Sequence, residues 1–287
     1  MARVVAVHGI HNTYASRPQM ADSWVPALLG GLDNAAQAGL APTAGLTASE
    51  VACVFYGDVF RPQGKRLSGD IPPLTSDDVE EGPETDLLLQ WWAAAARIDP
   101  AVVAPDARTL GPRTSARKAL LALAGARFLA QVSERLLVWW LKQVTSYFTD
   151  PAVRSAARER FAAGIGDDTR VVVAHSLGSV VAYEALCAHP EWPVTDLVTL
   201  GSPLGVPHLV THRLDPSTGA WPTVERWTNI TDAGDFVALQ PLLRTVYGER
   251  VRDVEISNGL GAHQVERYLS DRETGTAVAA GLLAGRA

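Results

Sequence analysis

One short segment of the chain, AHSLG, has the residue types that nucleophilic chemistry requires: it places Ser176 between the small residues Ala174 and Gly178. An apolar β-branched run precedes it, and a helix-like run over residues 177–188 follows. A serine on a sharp strand-to-helix turn is presented as a nucleophile, and crowding at that turn requires small residues two positions before and after it. We therefore predict that Ser176 is a nucleophile. The alternative is that Ser176 only caps the following helix, a position where serine is common.

Attack of a nucleophile on a carbonyl creates an oxyanion, which two backbone N–H groups are expected to stabilise. Leu177 supplies one candidate, because the first N–H groups of a helix have no partner within the helix. The segment VAVHGIHN, at the end of the first predicted strand, supplies the N–H of Ile10 as the second. The predicted oxyanion hole thus consists of Ile10 and Leu177.

A general base and an acidic residue that orients it are expected to follow the serine, in the order serine, acid, histidine. The segments NITDAGDFVAL and SNGLGAHQVERYL come after the last two predicted strands. We predict Asp235 as the acid and His263 as the base, and Asp232 is the rival acid because it lies nearer its strand. His8 and His175 are predicted to brace their turns. The surface-loop candidates among the other histidines are His189, His208 and His212.

The elements that must position these residues follow from hydrophobic periodicity. Six β-branched runs are predicted strands, at 3–9, 50–57, 170–176, 196–202, 224–230 and 250–257. Helices are predicted between them at 20–38, 151–163 and 177–188, with Asp150 as the N-cap and Pro151 in the first turn of the second helix. This alternation predicts the α/β fold class, an open and mostly parallel sheet flanked by helices.

Residues 58–149 interrupt this alternation, since ordinary connections have only ~2 to 6 residues. We predict a single domain over 1–287 with a helical insertion at 58–149. After an acidic, proline-rich stretch, the insertion is predicted to contain a helix at 86–98 and one long helix over 113–148 with a narrow polar stripe. Core packing is favoured for this helix over a membrane-facing surface.

The insertion leaves the same sheet edge as Ser176, so it is also predicted to act as a lid and to line an acyl pocket. The pocket candidates are four tryptophans: Trp91, Trp92, Trp139 and Trp140.

Composition excludes several classes of function. The 287 residues carry a formal charge of −6 and no long Lys/Arg run, so nucleic acid is not an expected partner. No apolar stretch reaches the ~20 residues of a membrane span. The first strand-like run starts within three residues of Met1, which favours a cytoplasmic protein without a signal peptide. Cys53 and Cys187 are expected to be reduced core residues, and no spacing suggests a metal site or a cofactor.

The segments VHGI, AHSLG, GDFVAL and GAH together resemble the α/β-hydrolase superfamily, especially small bacterial lipases that also have alanine for the first elbow glycine. The resemblance covers residues 1–57 and 150–270. It implies a fold that begins at the family's third strand, and it implies catalytic and oxyanion roles for Ser176, Asp235, His263, Ile10 and Leu177. The chain departs from the family in two ways. His11 stands where those lipases commonly have glycine, and the insertion precedes the elbow, whereas the usual cap follows the next strand.

The resulting expectation is a cofactor-independent serine hydrolase that cleaves a carboxylic ester with an apolar acyl group through an acyl-enzyme. Amide or thioester cleavage and acyl transfer use the same residues and remain alternatives. An interaction module without catalytic activity is the alternative from another class. A membrane-surface lipase is less favoured than a soluble esterase.

Overall fold

A computed structural model describes residues 2–10, 15–61, 72–105, 112–129, 132–206, 210–216, 219–235, 237–238 and 242–284. All six predicted strands are present in one open sheet whose neighbouring strands are parallel. The strands are β1 (Val4–Val7), β2 (Val51–Val54), β3 (Val171–His175), β4 (Asp196–Leu200), β5 (Arg226–Asp232) and β6 (Val251–Ile256). The predicted α/β class is confirmed.

The strand order is β2-β1-β3-β4-β5-β6, so the chain reverses its direction of growth across the sheet after β2. The carboxyl ends of β1 and β3 lie side by side at this switch point, where Val7 pairs with Ala174. Loops leaving neighbouring strands in opposite directions open a crevice at such a point, where ligands bind in open α/β sheets. The two segments that sequence analysis assigned to the oxyanion hole and the nucleophile meet there.

Helices cover both faces of the sheet. They are α1 (Arg17–Gln37), α2 (Pro83–Ile98), α3 (Pro112–Ala124), α4 (Glu134–Thr149), α5 (Pro151–Ala162), α6 (Leu177–Ala188), α7 (Arg244–Tyr247), α8 (Val265–Ser270) and α9 (Arg272–Ala284). Alternate strand residues point to opposite faces. Val4 and Val171 pack against α1, α8 and α9, whereas Val5 and Val172 belong to the core that contains α5, α6 and the insertion helices. Burial of both faces explains why the central strands are continuously apolar.

The single long helix predicted over 113–148 is wrong, because the structure has two helices there, α3 and α4, separated by a 3₁₀ turn at Arg127–Leu129. Gly125 lowers the helix propensity where α3 ends. Asp99 then accepts a hydrogen bond from the backbone N of Arg127 (2.8 Å) and pairs with its guanidinium. Ser133 starts α4 by accepting a hydrogen bond from Leu136 N (3.3 Å). The hydrogen bond from the backbone N of Arg127 is the largest of the effects that lower the pKa of Asp99 to about 2.

The insertion is joined to the sheet domain through α4 and α5. Asp150 ends α4 and caps α5 by accepting a hydrogen bond from Ala152 N (2.9 Å), with Pro151 in the first turn as predicted. Trp139 and Trp140 on α4 are 8% and 4% exposed, so they pack in the interior, as the core-packing interpretation predicts. In the part of the chain that the structure describes, no helix has the length and hydrophobicity needed to cross a membrane.

Cys53 and Cys187 are both free thiols, as predicted. Cys53 is buried next to α1, and Cys187 lies partly buried in α6. Burial raises the pKa of each thiol to about 11, because the thiolate is disfavoured away from water. Neither thiol is therefore an activated nucleophile.

Candidate active site

The backbone of Ser176 has an unusual conformation that presents its side chain at the end of β3. Its φ is +53°, and among the described residues it is the one non-glycine residue with a positive φ. A non-glycine residue in this region is strained, and such strain is concentrated at functional sites. In the described part of the chain, the Ser176 side chain makes no capping hydrogen bond to α6. Helix capping is therefore not the reason for a serine here.

The loop after β1 packs closely against the turn that contains Ser176. A Cβ atom on Gly9 would lie 2.4 Å from Ser176 Cβ, and one on Gly178 would lie 2.4 Å from the carbonyl oxygen of His8. Both distances are shorter than any side chain tolerates, so only glycine allows the two segments to approach. Ile10 follows Gly9 directly, and Leu177 follows Ser176 at the start of α6. The close approach thus places the two segments that carry the predicted N–H donors against each other, and the oxyanion role of these donors stays a prediction.

His8 braces this loop, as predicted. Its Nδ1 is 2.5 Å from the carbonyl oxygen of Gly9, and its Nε2 accepts a hydrogen bond from Tyr56 N (3.1 Å). This pair of contacts fits the neutral tautomer with the proton on Nδ1. The ring also stacks on Tyr56, with 4.3 Å between ring centroids. Because His8 is fully buried, its pKa is lowered to about 4.

The lowered pKa of His8 predicts a loss of stability in mild acid. The unfolded chain protonates this histidine near pH 6.5 and the folded chain only near 4, so the stability contribution is complete above pH 6.5 and falls as the pH drops to 4. Between pH 7.5 and 5 we expect a loss of about 2 kcal/mol in the free energy of unfolding. Urea unfolding at both pH values should show this loss in the wild-type protein. In His8→Gln, the loss between the two pH values should be smaller by about 2 kcal/mol. Equal losses in the two proteins would contradict the prediction.

Ser176, His263 and Asp235 form one hydrogen-bonded row. Ser176 Oγ lies 3.2 Å from His263 Nε2, and His263 Nδ1 lies 2.8 Å from Asp235 Oδ2. The neutral tautomer that suits both contacts carries its proton on Nδ1, donates it to the carboxylate and leaves Nε2 free to accept from the serine hydroxyl. The structure thus brings together the three residues that sequence analysis selected from three separate loops.

Asp235, rather than its rival Asp232, contacts the histidine. Asp235 Oδ1 accepts hydrogen bonds from the backbone N of Val237 (3.0 Å) and Ala238 (3.4 Å), which fix the carboxylate. The Asp232 carboxylate instead accepts hydrogen bonds from Gly234 N (2.6 Å) and Asn258 N. Asp232 therefore braces the turn that carries Asp235 and ties it to the loop before His263.

Sequence analysis missed Tyr268, which belongs to the same cluster. Its hydroxyl donates a hydrogen bond to Asp235 Oδ2 (2.8 Å) and accepts one from Asp232 N (2.9 Å). The sequence signal that could have identified Tyr268 is its position on the short helix α8, just after His263, because a helix that closely follows a site residue packs beside it. Ser179 was missed too. It donates to the carbonyl oxygen of Ser176 (2.6 Å) and supports the turn from α6.

His175 lies beside the row, on the strand that ends at Ser176. Its ring centroid is 4.6 Å from that of His263 and 6.0 Å from that of Tyr268, and Trp24 of α1 meets it edge-on at 6.2 Å. This packing fits the predicted bracing role. Among the other histidines, His189 and His212 lie at the surface as predicted, and His208 and His11 fall outside the described residues.

The site is largely buried: Ser176 is 1% exposed, Ile10 and Leu177 are buried, and the His263 side chain is 15% exposed. The 3₁₀ turn Arg127–Leu129 of the insertion lies against Gly259–Gly261, the turn just before His263. The four pocket candidates, Trp91, Trp92, Trp139 and Trp140, are buried in the same core as Ile10 and Leu177. Their contact with a substrate stays a prediction.

The polar groups of the site suit acid–base and nucleophilic chemistry. Over the described ranges, no group of three His, Cys, Asp or Glu residues is arranged to hold a metal ion. A strained serine, a histidine within hydrogen-bond distance of it and a buried carboxylate bonded to the histidine are the residue types from which an activated nucleophile is built. Comparisons of this chain with models of known protein families, with curated proteins and with solved structures found no match.

Proposed function

We propose that the protein is a serine hydrolase of the α/β-hydrolase type that cleaves carboxylic esters through an acyl-enzyme. The observation that carries the proposal is the row from Ser176 Oγ to His263 Nε2 (3.2 Å) and from His263 Nδ1 to Asp235 Oδ2 (2.8 Å), set on a strained turn. A serine with a purely structural role would not require both the hydrogen-bonded row and the strained turn. A helix cap would bond backbone N–H groups, and a core serine would not require a left-handed backbone.

In the proposed reaction, His263 Nε2 takes the proton of Ser176 Oγ as the oxygen attacks the ester carbonyl. Asp235 stabilises the imidazolium that forms, and the N–H groups of Ile10 and Leu177 bind the oxyanion. The tetrahedral intermediate collapses when His263 donates its proton to the leaving alcohol, which leaves an acyl group on Ser176. Water, deprotonated by the same histidine, then attacks the acyl-enzyme and releases the carboxylic acid. This sequence uses no cofactor.

The insertion at 58–149 is proposed to be the lid of this site and to contribute to its acyl pocket. Three features support this role: the insertion leaves β2 at the edge that carries Ser176, it contacts the turn before His263, and its core is continuous with Ile10 and Leu177. A site closed by apolar side chains strengthens the electrostatic stabilisation of the oxyanion and favours an apolar acyl group. A small-molecule ester with an apolar acyl chain is the substrate class that we propose.

A fluorophosphonate probe tests the proposal without requiring knowledge of the natural ester, because it reacts with activated serines. We expect one adduct per chain, located at Ser176 by peptide mass spectrometry, and no adduct after urea unfolding. Ser155 is the internal control, since its hydroxyl donates its hydrogen bond to the exposed Glu159 carboxylate (2.8 Å) and not to an imidazole. Failure of the folded protein to react, also at the highest probe concentration, would favour the non-catalytic interaction module.

A further inference from the structure

The hydroxyl of Tyr268 is placed to act on the carboxylate of the site. Tyr268 is fully buried on α8, and its hydroxyl bridges two points near the end of β5: it accepts from Asp232 N (2.9 Å) and donates to Asp235 Oδ2 (2.8 Å). Both contacts fix the orientation of the hydroxyl, because it donates its one proton to the Asp235 carboxylate and accepts a hydrogen bond from the amide of Asp232. The hydroxyl therefore has a defined direction, which a merely space-filling tyrosine would not need.

Two donors share one oxygen of Asp235. His263 Nδ1 and Tyr268 OH each lie 2.8 Å from Oδ2, while Val237 N and Ala238 N bond Oδ1. A carboxylate whose charge is shared among several donors is a weaker acceptor toward each of them. Burial and the neighbouring Asp235 charge raise the pKa of Tyr268. The phenol therefore stays protonated and remains a hydrogen-bond donor to Asp235 at acidic and neutral pH.

We propose that Tyr268 is a positioning residue of the active site, which holds the Asp235 carboxylate toward His263 and moderates the hydrogen bond between them. This inference rests on the proposed function. Without the hydroxyl, Oδ2 would bond His263 alone, and rotation of the carboxylate would be restrained only through Oδ1. The undivided charge on Oδ2 would also stabilise an imidazolium at His263 more strongly.

The test uses the pH dependence of inactivation by the fluorophosphonate probe, since only neutral His263 can accept the serine proton. For Tyr268→Phe we expect the acidic midpoint to move up by about half a pH unit and the plateau rate constant to fall about fivefold. The substitution keeps the ring, and with it the packing against His175. Among the described residues, the charged or titratable groups that remain unchanged near His263 include His175 on β3, Asp232 at the end of β5 and Arg267 of α8, which bonds the carbonyl oxygen of Asn258.

Tyr183→Phe is the matched control. Tyr183 is equally buried, lies on α6 just after the nucleophile, and donates a hydrogen bond of the same length, 2.8 Å, to the carbonyl oxygen of Ala220. Urea unfolding should show a loss of stability in both variants, and the loss should be larger for Tyr268→Phe, because the Tyr268 hydroxyl makes two hydrogen bonds. We expect Tyr183→Phe to keep the wild-type midpoint and plateau.

A second variant is expected to shift the acidic midpoint in the opposite direction, and its result does not depend on how well Tyr268→Phe folds. Incorporation of 3-fluorotyrosine at position 268 makes the phenol a stronger donor, so the midpoint should move down. The inference is overturned if Tyr268→Phe leaves both midpoint and plateau at wild-type values, if Tyr183→Phe shifts the midpoint equally, or if the fluorinated residue shifts it up. Absence of labelling in the wild-type protein would instead reject the proposed hydrolase function itself.

Discussion

Replacement of His263 by alanine is expected to lower the hydrolysis of p-nitrophenyl acetate and p-nitrophenyl butyrate by about four orders of magnitude. Without the imidazole, Ser176 Oγ loses the acceptor 3.2 Å away and stays a neutral hydroxyl at pH 7. Ser176→Ala should lower activity at least as far, and the double variant no further, because residues that act as one unit are not additive. Initial rates with purified proteins measure these effects.

A matched histidine substitution separates loss of the base from general damage. His189 ends α6 at the surface, where its Nδ1 lies 2.9 Å from Glu191 Oε1. We expect His189→Ala to keep the wild-type rate within a factor of about two, since surface substitutions away from a site have small effects. A fall of less than tenfold in His263→Ala, with the protein folded by circular dichroism, would remove His263 from its proposed role.

Glu184→Gln is expected to lower the free energy of unfolding by about 3 kcal/mol, the lower part of the range for a broken buried ion pair. Glu184 is fully buried on α6 and joins three other elements. It accepts hydrogen bonds from Tyr147 OH of α4 (2.6 Å), from Arg154 of α5 and from Asp215 N (3.1 Å). An amide in its place would keep one acceptor and turn an N–H donor toward the guanidinium. Part of the loss is offset because the Arg154 side chain is 19% exposed and can contact water.

Glu225→Gln is the control for this substitution. Glu225 is 66% exposed and lies 3.7 Å from Arg226, so its loss should cost less than about 1 kcal/mol. Urea unfolding at constant pH compares the two variants. Equal costs would mean that the Glu184 cluster contributes no more than a surface pair, and that the attachment of α4 to α6 relies on apolar packing.

The sheet could be predicted from the sequence because each strand is a compact β-branched run and each neighbouring helix is amphipathic or apolar. The insertion was harder to predict. Periodicity continues through Gly125, so residues 113–148 are predicted as one helix. Gly125 and the Ser133 N-cap favour a break, but the carboxylate that holds the turn at Arg127 belongs to the distant Asp99. Long-range capping of this kind leaves no local signal.

The three residues of the hydrogen-bonded row could also be predicted, since the proposed nucleophile elbow restricts which later loops can supply a base and an acid. The residues that support these three could not be predicted from the sequence. Sequence analysis preferred Asp235 to Asp232, but the hydrogen bonds that hold the Asp235 carboxylate, from Val237 N and Ala238 N, have no signal in the sequence. Tyr268 looks like an ordinary core aromatic, because its role depends on the direction of one hydroxyl group.

In the proposed hydrolase, the left-handed backbone of Ser176 sets stability against activity at a single position. A non-glycine residue at a φ of +53° costs about 1 to 3 kcal/mol, whereas glycine would adopt this conformation without that cost. Selection of variants for heat resistance alone would therefore favour glycine at position 176 and yield a tougher, inert protein. Any programme of directed evolution on this chain needs a screen for turnover from its first round.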